Sequence, residues 1–92
     1  MIVGLLKVEI FIPESGSLKS KRFVVKSLKE RIKGRFNVSV AEEANNLWQR
    51  TVIGVAGVSD TESHVREIMQ KVKDMIFSET DIEVLNHSTE IF

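Results

Sequence analysis

The amino-acid sequence predicts an α+β sandwich with the element order β-α-β-β-α-β, a ferredoxin-like arrangement in which a four-stranded antiparallel sheet carries two helices on one face. Three observations carry this expectation. Strand-like stretches open, divide and close the chain; two stretches between them have a 3.6-residue apolar period; and turn or capping residues stand at the junctions.

Residues 2–12 alternate. Ile2, Gly4, Leu6, Val8, Ile10 and Ile12 share one face, and Val3, Leu5, Lys7, Glu9 and Phe11 share the other. A period of two with β-branched side chains specifies a strand, and the first set is its expected core face. Pro13 ends it, because proline donates no ladder hydrogen bond. Ser15-Gly16-Ser17 follows as a short loop, with Ser17 placed to cap a helix. From Leu18 to Lys33 the period lengthens: Leu18, Val24, Val25, Leu28 and Ile32 gather on one side, and Gly34 is the expected stop. Residues 36–42 alternate again as a second strand. Asn45-Asn46 is expected to turn through the left-handed region that asparagine tolerates. Trp48–Val58, rich in Val, Ile and Thr, is a third strand, with Thr51, Ile53 and Val55 assigned to the open face of the sheet. Ser59-Asp60-Thr61-Glu62 has the S-x-x-E form of a capping box. It opens a second helix running to about Phe77, with Val65, Ile68, Met69, Val72, Met75 and Ile76 inward. Asp81–Ile91 is the last strand, with Ile82 and Val84 towards the core. Right-handed crossovers then give the spatial order 4-1-3-2.

Length and composition agree with this reading. Ninety-two residues make one domain, 1–92, and 42% hydrophobic with 28% charged residues is globular composition. The absence of cysteine excludes disulfides and thiolate metal sites. Met1–Lys7 lacks a positive leader and a small-residue cleavage site, and no apolar run approaches the roughly 20 residues that span a bilayer, so the cytoplasm is the expected compartment. The 13 basic and 13 acidic residues cancel, but eight of the basic ones lie between Lys19 and Arg35, where Glu30 is the single acid. That asymmetry bears on partners more than on fold.

Three segments have a familiar look in combination: Met1–Glu9, the Ser17-Leu18-Lys19-Ser20-Lys21-Arg22 run leading on to Arg35–Glu42, and Leu47-Trp48-Gln49-Arg50. With them the chain resembles, over essentially its whole length, the YlxP-like family of small bacterial proteins of unknown function. The resemblance implies a bacterial cytoplasmic protein with a ferredoxin-like fold. Genes of that family often stand among those for translation initiation and ribosome maturation, which implies an RNA-linked role by association. It supplies no catalytic residues to carry over, and Gly57 stands where a larger apolar residue is more typical of the family.

The strongest functional feature of the residues themselves is a stripe. Lys19, Arg22, Lys26, Lys29 and Lys33 recur at spacings of three and four, which confines them to a band about 80° wide beside the apolar face of the first helix. Like charges at these spacings repel, whereas phosphates neutralised by them would release counterions and favour binding. A solvated helix face is the ordinary reading of such a run; the alternative is a polyanion-binding surface, with Lys21 and Arg35 added to the five. Ser15, Gly16 and Ser17 place free backbone N–H groups and the positive helix end near these cations, an anion-binding arrangement in principle. An ordinary capped loop is the preferred account, and no G-x-x-x-x-G-K-[ST] motif is present.

Trp48 beside Arg50 could stack on a base, although closure of one end of the core is the preferred role for a lone tryptophan. No RNP1 motif is present, so RRM-type readout is not expected. The aliphatic residues assigned to the open sheet face predict a homodimer through that face or an edge strand.

Catalytic and metal readings find little. Glu42 and Glu43 would face opposite ways in a strand, and Asp60, Glu62 and His64 sit where a helix start favours such residues anyway. His87 has no partner deducible from spacing. No catalytic residue, metal ligand, cofactor or small-molecule substrate is assigned. The sequence therefore supports a non-enzymatic protein that meets RNA or a ribosomal particle through its first helix, with a homodimeric protein-interaction or ligand-sensing module using the open sheet face as the alternative.

Overall fold

A computed structural model of the chain describes residues 1–43 and 45–92. In it the alternation at the N-terminus becomes strand β1 (Ile2–Phe11), followed by helix α1 (Leu18–Arg35), β2 (Ser39–Glu43), β3 (Arg50–Ser59), helix α2 (Glu62–Phe77) and β4 (Glu83–Ile91). The sheet order is β2-β3-β1-β4, the expected 4-1-3-2 read from the other edge, and the neighbouring strands run antiparallel. Leu6, Val8, Ile10 and Ile12 of the N-terminal stretch meet Val25, Leu28 and Ile32 of α1 and Val65, Met69, Val72 and Ile76 of α2 in a single core.

Pairing with β1 sets the phase of β3. Leu6 stands opposite Val55, Val8 opposite Ile53 and Ile10 opposite Thr51. Paired residues share a face, so Thr51, Ile53 and Val55 are buried under the helices and do not belong to the open face to which their sequence assigned them. The open face of β3 carries Val52, Gly54, Ala56 and Val58 instead. In β4, Glu9 faces Asn86 while Ile10 faces Val84, which leaves Leu85 as an extra residue in a bulge.

Helix boundaries also shift for physical reasons. Ser17 caps α1 as expected, its Oγ accepting from the Ser20 N–H at 3.1 Å. Gly34 does not stop the helix: its φ is negative, and the last turn continues until Phe36 goes extended and packs against the core. The cap of α2 is Thr61, two residues after the expected Ser59, with its Oγ1 accepting from the His64 N–H at 3.3 Å. Ser59 remains in β3.

The two helices sit differently on the sheet. α2 lies across β1 and β3 and reaches β4, whereas the closest backbone approach of α1 is to β2. Gly4 and Gly57 are directly opposed across β1 and β3, and both are buried beneath α2. A Cβ on Gly4 would overlap Val65 Cγ1 and come within 3.1 Å of Met69 Cγ, and one on Gly57 would come within 3.1 Å of Met69 Cε. The glycine pair is thus the seat that lets α2 approach the sheet, and the Met69 side chain fills the space a larger residue at position 57 would take. Gly4→Val should cost about 1–3 kcal/mol through overpacking. Gly34→Ala, in an open position of a helix, should add about 0.5–1 kcal/mol. Thermal melts followed by circular dichroism should move in opposite directions for the two variants, by about 4–8 °C per kcal/mol.

Candidate polyanion-binding surface

α1 presents five of its cations, Lys19, Arg22, Lys26, Lys29 and Lys33, on one shoulder. At about 100° per residue the stripe is centred about 110° from the buried line of Lys21, Val25, Leu28 and Ile32. Arg31 lies on the opposite shoulder and reaches across to Glu79, just beyond α2, in a bidentate pair with both distances 2.7 Å. The stripe therefore faces away from α2, on the side of the β2 edge. Lys19, Arg22, Lys26 and Lys33 are exposed and Lys29 is half-exposed. Among the described residues, none of the five is within 4.0 Å of a carboxylate, Glu30 included. α2 shows the usual way to stabilise a charged helix face: Arg66 pairs with Glu62 at 3.2 Å and Lys71 with Glu67 at 2.9 Å, both one turn apart. The Lys71 hydrogen bond and charge hold the Glu67 carboxyl below its ordinary pKa. α1 has no such pairs along its row.

Phe23 is a member of this surface that sequence reasoning missed. It stands one turn after Lys19 and three residues before Lys26, and it is 76% exposed. Its position on the helical wheel, outside the apolar arc and beside the stripe, was the available signal.

Lys21 leaves the polyanion set. It projects from the buried line of α1 with 3% exposure, and its ammonium donates to Asn45 Oδ1 at 2.8 Å, to the Leu47 carbonyl at 2.6 Å and to the Arg50 carbonyl at 3.3 Å. A buried ammonium requires such partners, and here they come from the β2–β3 connection and the first residue of β3. Asn45 accepts a second hydrogen bond from the Leu47 N–H at 3.0 Å, so it shapes the turn with its side chain; no described non-glycine residue has a positive φ. Arg35, at the far end of α1, lies 5.6 Å from the Phe36 ring centroid, clear of the row.

The hydroxyl groups of the Ser15–Ser17 loop are satisfied locally. Ser15 is buried, and its hydroxyl donates to the Ser17 carbonyl at 3.1 Å and contacts Ser20 Oγ at 3.1 Å, while Ser17 Oγ is occupied as the cap. The loop caps α1 and so starts the helix that carries the surface.

Trp48 departs from its preferred role. β3 begins at Arg50, so Trp48 belongs to the preceding loop, 56% exposed and not closing the core. It borders a groove of about 450 Å³ with Phe11, Leu47 and Arg50. The loop is braced from below by Lys21 and from β1 by the Ile12 N–H donating to the Gln49 carbonyl at 2.7 Å and by Gln49 Nε2 donating to the Pro13 carbonyl at 3.0 Å.

The rest of the open sheet face is mixed. Val3, Leu5, Ala56 and Val58 cluster at one end, while Lys7, Glu9, Glu43, Asn86, Ser88 and Glu90 line a polar depression. Ser59 Oγ lies 2.8 Å from His64 Nδ1 and donates to Asp60 Oδ1 at 3.2 Å. The aspartate contacts the serine and leaves the histidine unoriented, which differs from a catalytic triad, where it orients the histidine. Among the described residues no three His, Asp or Glu groups converge as metal ligands, and no helix is long and apolar enough to cross a membrane.

Lys21→Met should leave carbonyls of the loop unpaired and destabilise the protein by about 2–4 kcal/mol. Urea unfolding should show the loss, and amide exchange in residues 45–50 should rise more than in β1.

The family model described as "Protein of unknown function (DUF503)" matches residues 3–89. The Uncharacterized protein YlxP of Bacillus subtilis (strain 168) is 37% identical over 92 residues, an alignment covering 99% of this chain and 100% of the relative. A de novo designed protein with a ferredoxin fold, solved in solution by NMR, superposes with a TM-score of 0.52 at 11% identity, covering 100% of this chain and 84% of the designed one; that likeness concerns the fold alone. With the match running almost end to end in both family model and relative, the chain belongs to the DUF503 family, the YlxP-like group that its N-terminal strand and Ser17–Arg22 segment resemble.

Proposed function

We propose that this protein is a cytoplasmic, non-enzymatic RNA-binding protein that engages phosphates through the exposed shoulder of α1. The observation that carries the reading is the unpaired row itself. Lys19, Arg22, Lys26, Lys29 and Lys33 remain without carboxylate partners among the described residues, in a chain that pairs its other helix one turn apart. Repulsion within such a row costs a few tenths of a kcal/mol per neighbouring pair, which polyanion binding offsets by releasing condensed counterions. Phe23 adds an exposed aromatic ring among the cations, a combination suited to bases alongside phosphates. RNA, free or within a ribosomal particle, is the partner class this chemistry fits.

A second reading, self-association through the open sheet face, is favoured by the uncovered pair Val3 and Val58 with Leu5 beside them. The residues that β3 contributes to it are Val52, Ala56 and Val58, since Thr51, Ile53 and Val55 belong to the core. Ile53→Asp would therefore strike the core, and Leu5→Asp is the informative substitution. Sedimentation should show a dimer that Leu5→Asp dissociates; a monomer at high micromolar concentration removes this reading.

Lys26→Glu combined with Lys29→Glu should abolish RNA binding and leave the melting temperature within a few degrees, because neither side chain holds a partner in the fold. Phe23→Ala should weaken binding about 5-fold or more. Filter binding across a salt series checks both, and unchanged affinity and salt slope in the double variant would reject the proposal.

A further inference from the structure

We infer that the groove at Trp48 holds an unstacked base of the bound strand, so that the preferred ligand is single-stranded RNA threaded from the α1 shoulder to the end of the sheet. This deepens the RNA-binding reading and rests on it.

Three observations point there. Trp48 is exposed on a loop held in place from two sides, by the Lys21 ammonium and by the hydrogen bonds of Gln49 to the β1 end. Ordering an aromatic platform before binding removes the entropy cost of fixing it later. Phe11 and Leu47 supply further apolar wall and Arg50 a cation, within a groove of about 450 Å³, a size that accommodates a small planar ligand. Asn46 borders this groove and also a second depression that contains Arg22 of the stripe, so the stacking platform and the cationic row adjoin. Glu42 lies in that second depression too, but its carboxylate accepts from Thr51 Oγ1 at 2.7 Å and makes no ion pair with Arg22. A duplex keeps its bases stacked inside and offers Trp48 nothing; polyphosphate offers charge without a base.

The chain has one tryptophan and no tyrosine, so its intrinsic fluorescence reports the groove directly. Three probes are titrated at low salt: oligoadenylate of about 10 nucleotides, within the usual span of single-strand sites, a blunt RNA duplex of the same length, and inorganic polyphosphate. The expected result is saturable quenching by oligoadenylate, with the duplex and polyphosphate bound, as fluorescence-independent filter or gel assays show, but not quenching. Trp48→Leu, with an unchanged melting curve, should weaken oligoadenylate binding about 5-fold or more and remove its advantage over polyphosphate. Oligoadenylate bound without quenching, or bound equally well by Trp48→Leu, overturns the groove assignment and leaves the stripe standing. Failure of all three probes to bind overturns both.

Discussion

The Lys21 ammonium is the constraint on which the arrangement of the surface depends. An ammonium removed from water must find oxygen acceptors, and this one finds three, two in the connection between β2 and β3 and one on the first residue of β3. The interaction ties the buried line of α1 to a loop that a 92-residue protein could otherwise leave loose. It also sets what lies outside. With Lys21 turned inward, Lys19, Arg22, Lys26, Lys29 and Lys33 make up the row on one shoulder of α1, and the loop fixed above Lys21 directs Trp48 into solvent beside Phe11 and Arg50.

The asymmetric seating of the helices completes the picture. α2 settles onto the opposed glycines of β1 and β3, close enough that a methyl group on Gly4 would overlap Val65. α1 has its closest backbone approach to β2, and its cationic shoulder faces away from the side on which Arg31 reaches Glu79. The chain treats the two exposed faces differently. α2 is balanced by pairs one turn apart, whereas the row on α1 has no carboxylate within reach. Such an uncompensated row is a modest stability cost that a phosphate partner would offset.

Parts of this were legible in the residues and parts were not. The core face of β1, the inward set of α2 and the Ser17 cap follow from periodicity and from local side-chain chemistry, both of which act within a few residues. The phase of β3 does not. Thr51 to Val58 is apolar or small in either phase, so only pairing with Val8 and Ile10 assigns Ile53 and Thr51 to the core. Trp48 likewise read as a core residue from its size, and only the position of its loop exposes it.

By itself, the sequence determined the order of elements and the presence of an uninterrupted cationic row on α1, because each arises from a repeat spacing along a single segment, and the sheet topology followed from that order through the handedness of the crossovers. Tertiary structure alone decided which of the lysines belongs to the row, which face of β3 is buried and that Phe23 and Trp48 are exposed. The physical reason is that burial and desolvation are properties of neighbours brought together from distant parts of the chain; Lys21 meets its acceptors only when residues 24 to 29 positions away fold over it.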